Sequence, residues 1–159
     1  MNRSFPDINY FVAVGVALII LFLIICGVAR GEEIDMSIIA QIESSNNPNA
    51  VSFLGAKYGR GLYQVSEIYL KEYNTLNRQD IKPDELFNPE VCYKVAYWYM
   101  NKRIPQMLKY YKKPITLNNI LISYNAGIYY TVNKKALPTQ TTNYIAKYRQ
   151  LRAKLGHTD

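Results

Sequence analysis

Apolar positions along the chain follow two regimes. From Tyr10 to Ala29 they are continuous, twenty residues without a charge that read YFVAVGVALIILFLIICGVA. As a helix rising ~1.5 Å per residue, this run spans about 30 Å, the thickness of a bilayer core. No polar face interrupts it, which separates it from an amphipathic core helix. From residue 30 onward, apolar positions recur at helical spacing instead. Ile34, Ile38, Ile39 and Ile42 share one face of a helix that ends at Glu43-Ser44, ahead of Asn47-Pro48. Residues 45–60 are polar and glycine-containing, and read as a loop. Ser66 caps a short helix running to Tyr73. Asn88-Pro89 opens a longer one to about Met107, with Val91, Val95 and Trp98 inward and Pro105 kinking or shortening its end. Thr116 caps another, with Leu117, Ile120, Leu121 and Tyr124 inward and Gly127 as terminator. The last runs from about Thr142 to Leu155 and carries Tyr144, Tyr148, Leu151 and Leu155 at helical spacing. No alternating strand, internal repeat or low-complexity tract appears. The expectation is an all-α domain preceded by one transmembrane helix: a tail at 1–9, an anchor at 10–29 and a helical domain at 30–159.

A cleaved signal peptide is the nearest rival for the apolar run. Its hydrophobic region is usually ~7–15 residues, shorter than this one, although Gly27-Val28-Ala29 resembles a small-residue cleavage site. A lipoprotein signal would use Cys26, but Ile25 is too bulky for the position before it. An uncleaved single-pass anchor is favoured. Arg3 before the span and Arg30 after it nearly balance, so topology follows the default of a short N-terminus inside and the long segment translocated. That puts residues 30–159 on the periplasmic or extracytoplasmic side, or on a phage virion membrane.

Composition narrows the chemistry. The 159 residues are 49% hydrophobic and 19% charged, which excludes a disordered tail and a collagen-like repeat. Lys plus Arg number 19 against 12 Asp plus Glu, a net charge of +7 that favours anionic partners. Between Met100 and Thr158 there is no acidic residue at all. Cell-wall material, membrane surfaces and nucleic acid are all anionic. No helix-turn-helix, zinc or RNA-binding motif accompanies the charge, so nucleic acid is not expected. The two cysteines, Cys26 and Cys92, match no zinc or redox spacing. One histidine, His157, leaves no basis for a His-based metal site or a Ser-His-Asp or Cys-His centre. No metal or cofactor is expected, and carboxylates must carry any catalysis.

Six short motifs stand in order along the helical part. Glu43-Ser44 closes the first helix, followed by Asn47-Pro48-Asn49-Ala50-Val51-Ser52, Gly55-Ala56 and Gly61-Leu62-Tyr63-Gln64. Ser123-Tyr124-Asn125-Ala126-Gly127 and Thr142-Asn143-Tyr144-Ile145 come later. Together they resemble the soluble lytic transglycosylase-like (SLT) domain family of the lysozyme superfamily. The resemblance covers roughly residues 33–150, and Leu86-Phe87-Asn88-Pro89-Glu90 with the Tyr-rich helix after it also fits. Two departures stand out. Lys57-Tyr58-Gly59-Arg60 fills a gap where the family usually has one residue, lengthening a loop near the cleft. Tyr63 replaces the usual methionine, and is expected to stack on a sugar ring.

The resemblance implies a lysozyme-like fold and cleavage of the MurNAc–GlcNAc β-1,4 bond of peptidoglycan. Breaking a glycosidic bond needs a proton on the leaving oxygen and stabilisation of an oxocarbenium-like state. Glu43, at a helix end among apolar residues, is the candidate donor, since desolvation favours the protonated acid. Most glycosidases use a second carboxylate. Glu67, Glu72, Asp80, Asp84, Glu85 and Glu90 are candidates on composition alone, and none stands in a pattern that marks a partner for Glu43. The resemblance implies a single acid/base, with the muramyl C6 hydroxyl attacking internally to give a 1,6-anhydro ring. It also implies that Ser52 hydrogen-bonds near the acid, that Gln64 and Asn125 bind amides of the glycan, and that Tyr144 points its hydroxyl at Glu43. The expected partners are peptidoglycan strands, the membrane through residues 10–29, and a secretion, pilus or phage-entry assembly. A muramidase on the same scaffold and a non-catalytic glycan-binding assembly protein are the alternatives.

Overall fold

In the computed structural model, residues 33–133 and 135–156 are described. The expected tail at 1–9 and anchor at 10–29 lie outside the described residues. Among the described residues, no helix is long and apolar enough to cross a membrane.

The first helix, α1, runs Met36–Ser44. Its cap is Asp35, whose carboxylate accepts the Ser37 N–H at 2.9 Å and the Ile38 N–H at 3.4 Å, satisfying donors that the first turn leaves open. Met36, Ile38, Ile39 and Ala40 are buried. The helix stops where Ser45 and Asn46 turn left-handed, at φ 55° and 63°.

Residues 45–65 are a loop, as expected up to residue 60, but a folded one. Isolated antiparallel bridges join Val51 to Arg60 and Arg60 to Val65, and the Gly61 N–H donates to Ala50 O at 2.9 Å. Gly61 holds φ +71°, and a Cβ there would stand 2.0 Å from Leu86 O. No other residue type fits that approach.

Helix α2, Glu67–Asn77, is capped by Ser66 as expected but extends past Tyr73. A 3₁₀ turn at Pro83–Phe87 leads into α3, Pro89–Trp98. The long helix expected from Asn88 to Met107 exists as three pieces: α3, a π-helical turn at Tyr99–Arg103, and α4 at Ile104–Tyr110. Pro105 explains the break. It has no N–H for the carbonyl four residues back and its ring crowds that carbonyl, so the preceding turn widens and the Ile104 N–H reaches Tyr99 O. Helix α5, Leu117–Asn125, carries the Thr116 cap. A short α6 at Ile128–Asn133 was not legible as an element. Helix α7, Thr139–Lys154, starts before Thr142 because the Pro138 carbonyl, at its N-cap, accepts the Thr141 and Thr142 N–H groups and closes the first turn.

The core is one cluster that includes Ile39, Leu86, Val95, Met100, Ile104, Leu108, Leu121 and Tyr148. Three hydrogen bonds set the direction of α7 against its neighbours. The Asp35 N–H donates to Tyr148 Oη at 2.8 Å, so the start of α1 meets the later half of α7. Thr141 Oγ1 donates to Asn125 Oδ1 at 2.8 Å, and Arg149 donates to Asn118 Oδ1 at 3.0 Å. Helix α7 is therefore antiparallel to both α1 and α5, and the C-terminal ends of α1 and α5 converge on its first turns.

Candidate active site

At that convergence lies a cavity of about 970 Å³. The end of α1 supplies Glu43, the 45–65 loop supplies Ser52 and Gln64, α2 supplies Tyr69, α5 supplies Tyr124 and Asn125, and α7 supplies Tyr144. Segments far apart in the chain thus meet around one carboxyl group.

Glu43 is partly buried on the last turn of α1. Burial raises its pKa from the usual 4.5 to about 7, and the Tyr144 hydroxyl acts against that rise. Loss of hydration penalises the charged form more than the one nearby hydroxyl favours it. Tyr144 Oη is buried without a partner at ordinary hydrogen-bond geometry. Its influence on Glu43 is that of a neighbouring dipole more than of a well-formed bond. Tyr69, Tyr124 and Tyr144 all have phenol pKa values pushed up, mainly by burial and next by the Glu43 charge. All three therefore stay neutral beside the acid.

The tyrosines are locked in place. Tyr124 Oη donates to Tyr63 O at 2.8 Å, and Tyr69 Oη donates to Tyr124 O at 2.8 Å. The Tyr69 ring stacks on Tyr99 with centroids 3.9 Å apart. Ser44 Oγ donates to Leu62 O at 2.8 Å and to Ala40 O at 3.1 Å, tying the end of α1 to the loop. That tie fixes the residue next to Glu43.

Five of the six expected site residues line this cavity: Glu43, Ser52, Gln64, Asn125 and Tyr144. Their hydrogen bonds differ from the expectation. Ser52 Oγ accepts the Leu54 N–H at 3.3 Å, a local turn, and makes no bond to Glu43. Gln64 Nε2 donates to Ala50 O at 3.2 Å and Gly61 O at 3.0 Å, which braces the loop from inside. Asn125 Oδ1 accepts from Thr141, so its carbonyl end is engaged in the fold. Tyr63 is a correction. It is only 5% exposed and lies in the core, not in the cavity lining. Its N–H meets Cys92 Sγ at 3.5 Å and its ring packs edge-on against Tyr93. The turn through Gly61 and Gln64, both at positive φ, directs Tyr63 inward, where a methionine would also sit.

Sequence reasoning missed Tyr69, Gln140, Asn143 and Lys147, which also line the cavity. Tyr69 sits three residues after its cap, outside every motif. The three α7 residues share a helical face with Tyr144 at i, i+3, i+4 and i+7, a signal that was readable.

Glu43 is the only carboxylate among the described residues of the lining. Glu67 pairs with Arg60 at 3.0 Å, and Glu72 with Arg103. Glu90 is exposed in the first turn of α3. A hollow containing one desolvated carboxyl group that titrates near 7 can donate a proton to a bound oxygen and take one back.

A family profile, Transglycosylase SLT domain, matches residues 31–146. No curated protein and no solved structure matches the chain. The profile takes in the whole cavity lining up to Tyr144, and leaves out only Lys147. The chain belongs to the transglycosylase SLT domain family, whose lytic transglycosylases act on peptidoglycan.

Proposed function

We propose that this chain cleaves the MurNAc–GlcNAc β-1,4 bond with Glu43 as its single acid/base. The observation that carries the reading is the solitary carboxyl group in the cavity, held near neutrality by burial. In the first step Glu43 gives its proton to the glycosidic oxygen, the C1–O bond breaks, and positive charge develops on the muramyl ring. In the second step the C6 hydroxyl of the same ring attacks C1 and Glu43 takes the hydroxyl proton. The product is a 1,6-anhydro muramyl end, no water is consumed, and the acid returns to its starting state. An intramolecular nucleophile removes the need for a second carboxylate to activate water. Tyr144 orients and tempers the acid. Asn125 would bind an amide of the glycan, and Gln64 holds the loop that carries Ser52 beside the acid.

Residues 10–29 would anchor the domain at a membrane, with the cavity on the wall side, suited to local wall opening for a secretion, pilus or phage-entry assembly. The full chain and its Glu43→Gln variant, incubated with isolated sacculi, provide the test, with soluble products weighed by mass spectrometry. Anhydro-muropeptides from the wild type alone are expected. Hydrated ends would make the chain a muramidase. Binding without release from either protein would make it a glycan-binding assembly protein.

A further inference from the structure

The α7 wall of the cavity is polar. Gln140, Asn143, Tyr144 and Lys147 occupy one face of α7 and all line the cavity. The lining also includes Phe53, 89% exposed, and Ile68, 75% exposed. Lys147 is the only Lys or Arg among the described lining residues. None of the ion pairs among the described residues includes it. The arginines farther along α7 are turned elsewhere: Arg149 bonds Asn118, and Arg152 lines a separate hollow with Glu33 and Asp35.

The Glu43 carboxyl is set by burial first and the Tyr144 hydroxyl second, and no cation stands among those causes. The target of Lys147 must come with the substrate. The sugar backbone of a GlcNAc–MurNAc strand carries no charge. The anionic groups available on the muramyl unit are carboxylates: that of the lactyl ether in a peptide-free strand, or those of the stem peptide in a substituted one. One helical turn, about 5 Å, separates Lys147 from Tyr144, and Tyr144 adjoins Glu43. The long lysine stem spans that distance to a sugar held at the acid.

Resting on the transglycosylase reading of this cavity, we propose that Lys147 is a specificity-determining residue that pairs with a carboxylate borne by the muramyl sugar. The full chain and its Lys147→Met and Lys147→Arg variants are compared on peptide-free and peptide-bearing strands, each also with its carboxylates amidated. On the strand whose carboxylate is recognised, Lys147→Met raises KM about 5-fold with kcat nearly unchanged, the size of effect expected for a partly exposed ion pair. Lys147→Arg retains most of the affinity, and amidation abolishes the difference between wild type and Lys147→Met. An effect confined to peptide-free strands assigns the lactyl carboxylate, one confined to peptide-bearing strands assigns the stem peptide, and one on both means either serves. Equal KM for wild type and Lys147→Met on every strand overturns the proposal. Should the wild type form no anhydro product, the transglycosylase reading fails by itself. Strand affinity in the Glu43→Gln background then decides for Lys147: a loss of affinity on adding Lys147→Met upholds it, and no change overturns it.

Discussion

Glu43 and Glu72 are both partly buried acids, on α1 and α2, and both act on the Tyr69 hydroxyl between them. Glu72 meets a cation: Arg103 donates to its Oε1 through Nε at 2.7 Å and through a second guanidinium nitrogen. Glu43 meets none, only tyrosines and a hollow. The first arrangement neutralises a charge and fastens α2 to the π turn. The second leaves the cost of desolvation uncompensated, so the proton is held until the pH nears 7. A paired acid stabilises structure, whereas an unpaired acid beside open space is free to exchange its proton with a ligand.

The hardest blow to that contrast falls on Glu43. Glu43→Gln keeps the shape and removes the proton, so turnover on sacculi should fall by about 10³-fold or more. Its stability should move the other way, and with a defined sign. In the folded chain the Glu43 pKa is about 7 against an ordinary 4.5. Below pH 4.5 the acid is protonated whether folded or not, and Glu43 and glutamine should be nearly equivalent. As pH rises from 4.5 to 7 the unfolded chain releases the proton while the folded chain holds it, and wild-type stability falls. Above that window Glu43→Gln should be more stable than wild type by about 3 kcal/mol. Thermal melts at pH 4 and pH 8 measure this, and equal shifts at the two values would contradict it.

Arg103→Met sharpens the comparison from the other side. It strands Glu72 partly buried without its cation, and should destabilise the fold by about 2 kcal/mol. The product of the reaction should stay anhydro, because Glu72 is not in the cavity lining. Denaturant unfolding and product analysis on the same preparation check both halves. Tyr144→Phe is the mildest. It removes the one group that favours the charged form of Glu43. The alkaline limb of the rate profile should therefore move to higher pH, with the rate at its optimum down less than about 10-fold. A shift to lower pH would show that the Tyr144 hydroxyl favours the protonated acid instead.

Much of the fold was legible because helices announce themselves locally. Asn88, Ser66 and Thr116 cap their helices through hydrogen bonds to N–H groups two or three residues ahead, which a linear reading can see. Pro105 was readable as a disturbance, but not the form it takes. Whether a helix kinks, stops or widens into a π turn depends on how its two flanks are held, and here α3 and α4 pack separately into the core. The short α6 escaped because six residues carry too little periodicity to show. Of the site residues, Glu43, Ser52, Gln64, Asn125 and Tyr144 came from motifs and do share a cavity. Tyr63 came from the same motifs and does not, because its neighbours Gly61 and Gln64 turn it into the core.

From the sequence alone came the helical class, the caps, the family and an acid at the end of the first helix, all of them consequences of interactions within a few residues or of motif order. Tertiary structure decided what that acid is. The antiparallel placement of α7 against α1 and α5 encloses Glu43 among three tyrosines and keeps every described cation except Lys147 out of its cavity. Charge, burial and partnership are properties of the space around a side chain. That space is assembled here from segments about a hundred residues apart, as Glu43 and Tyr144 are in the chain.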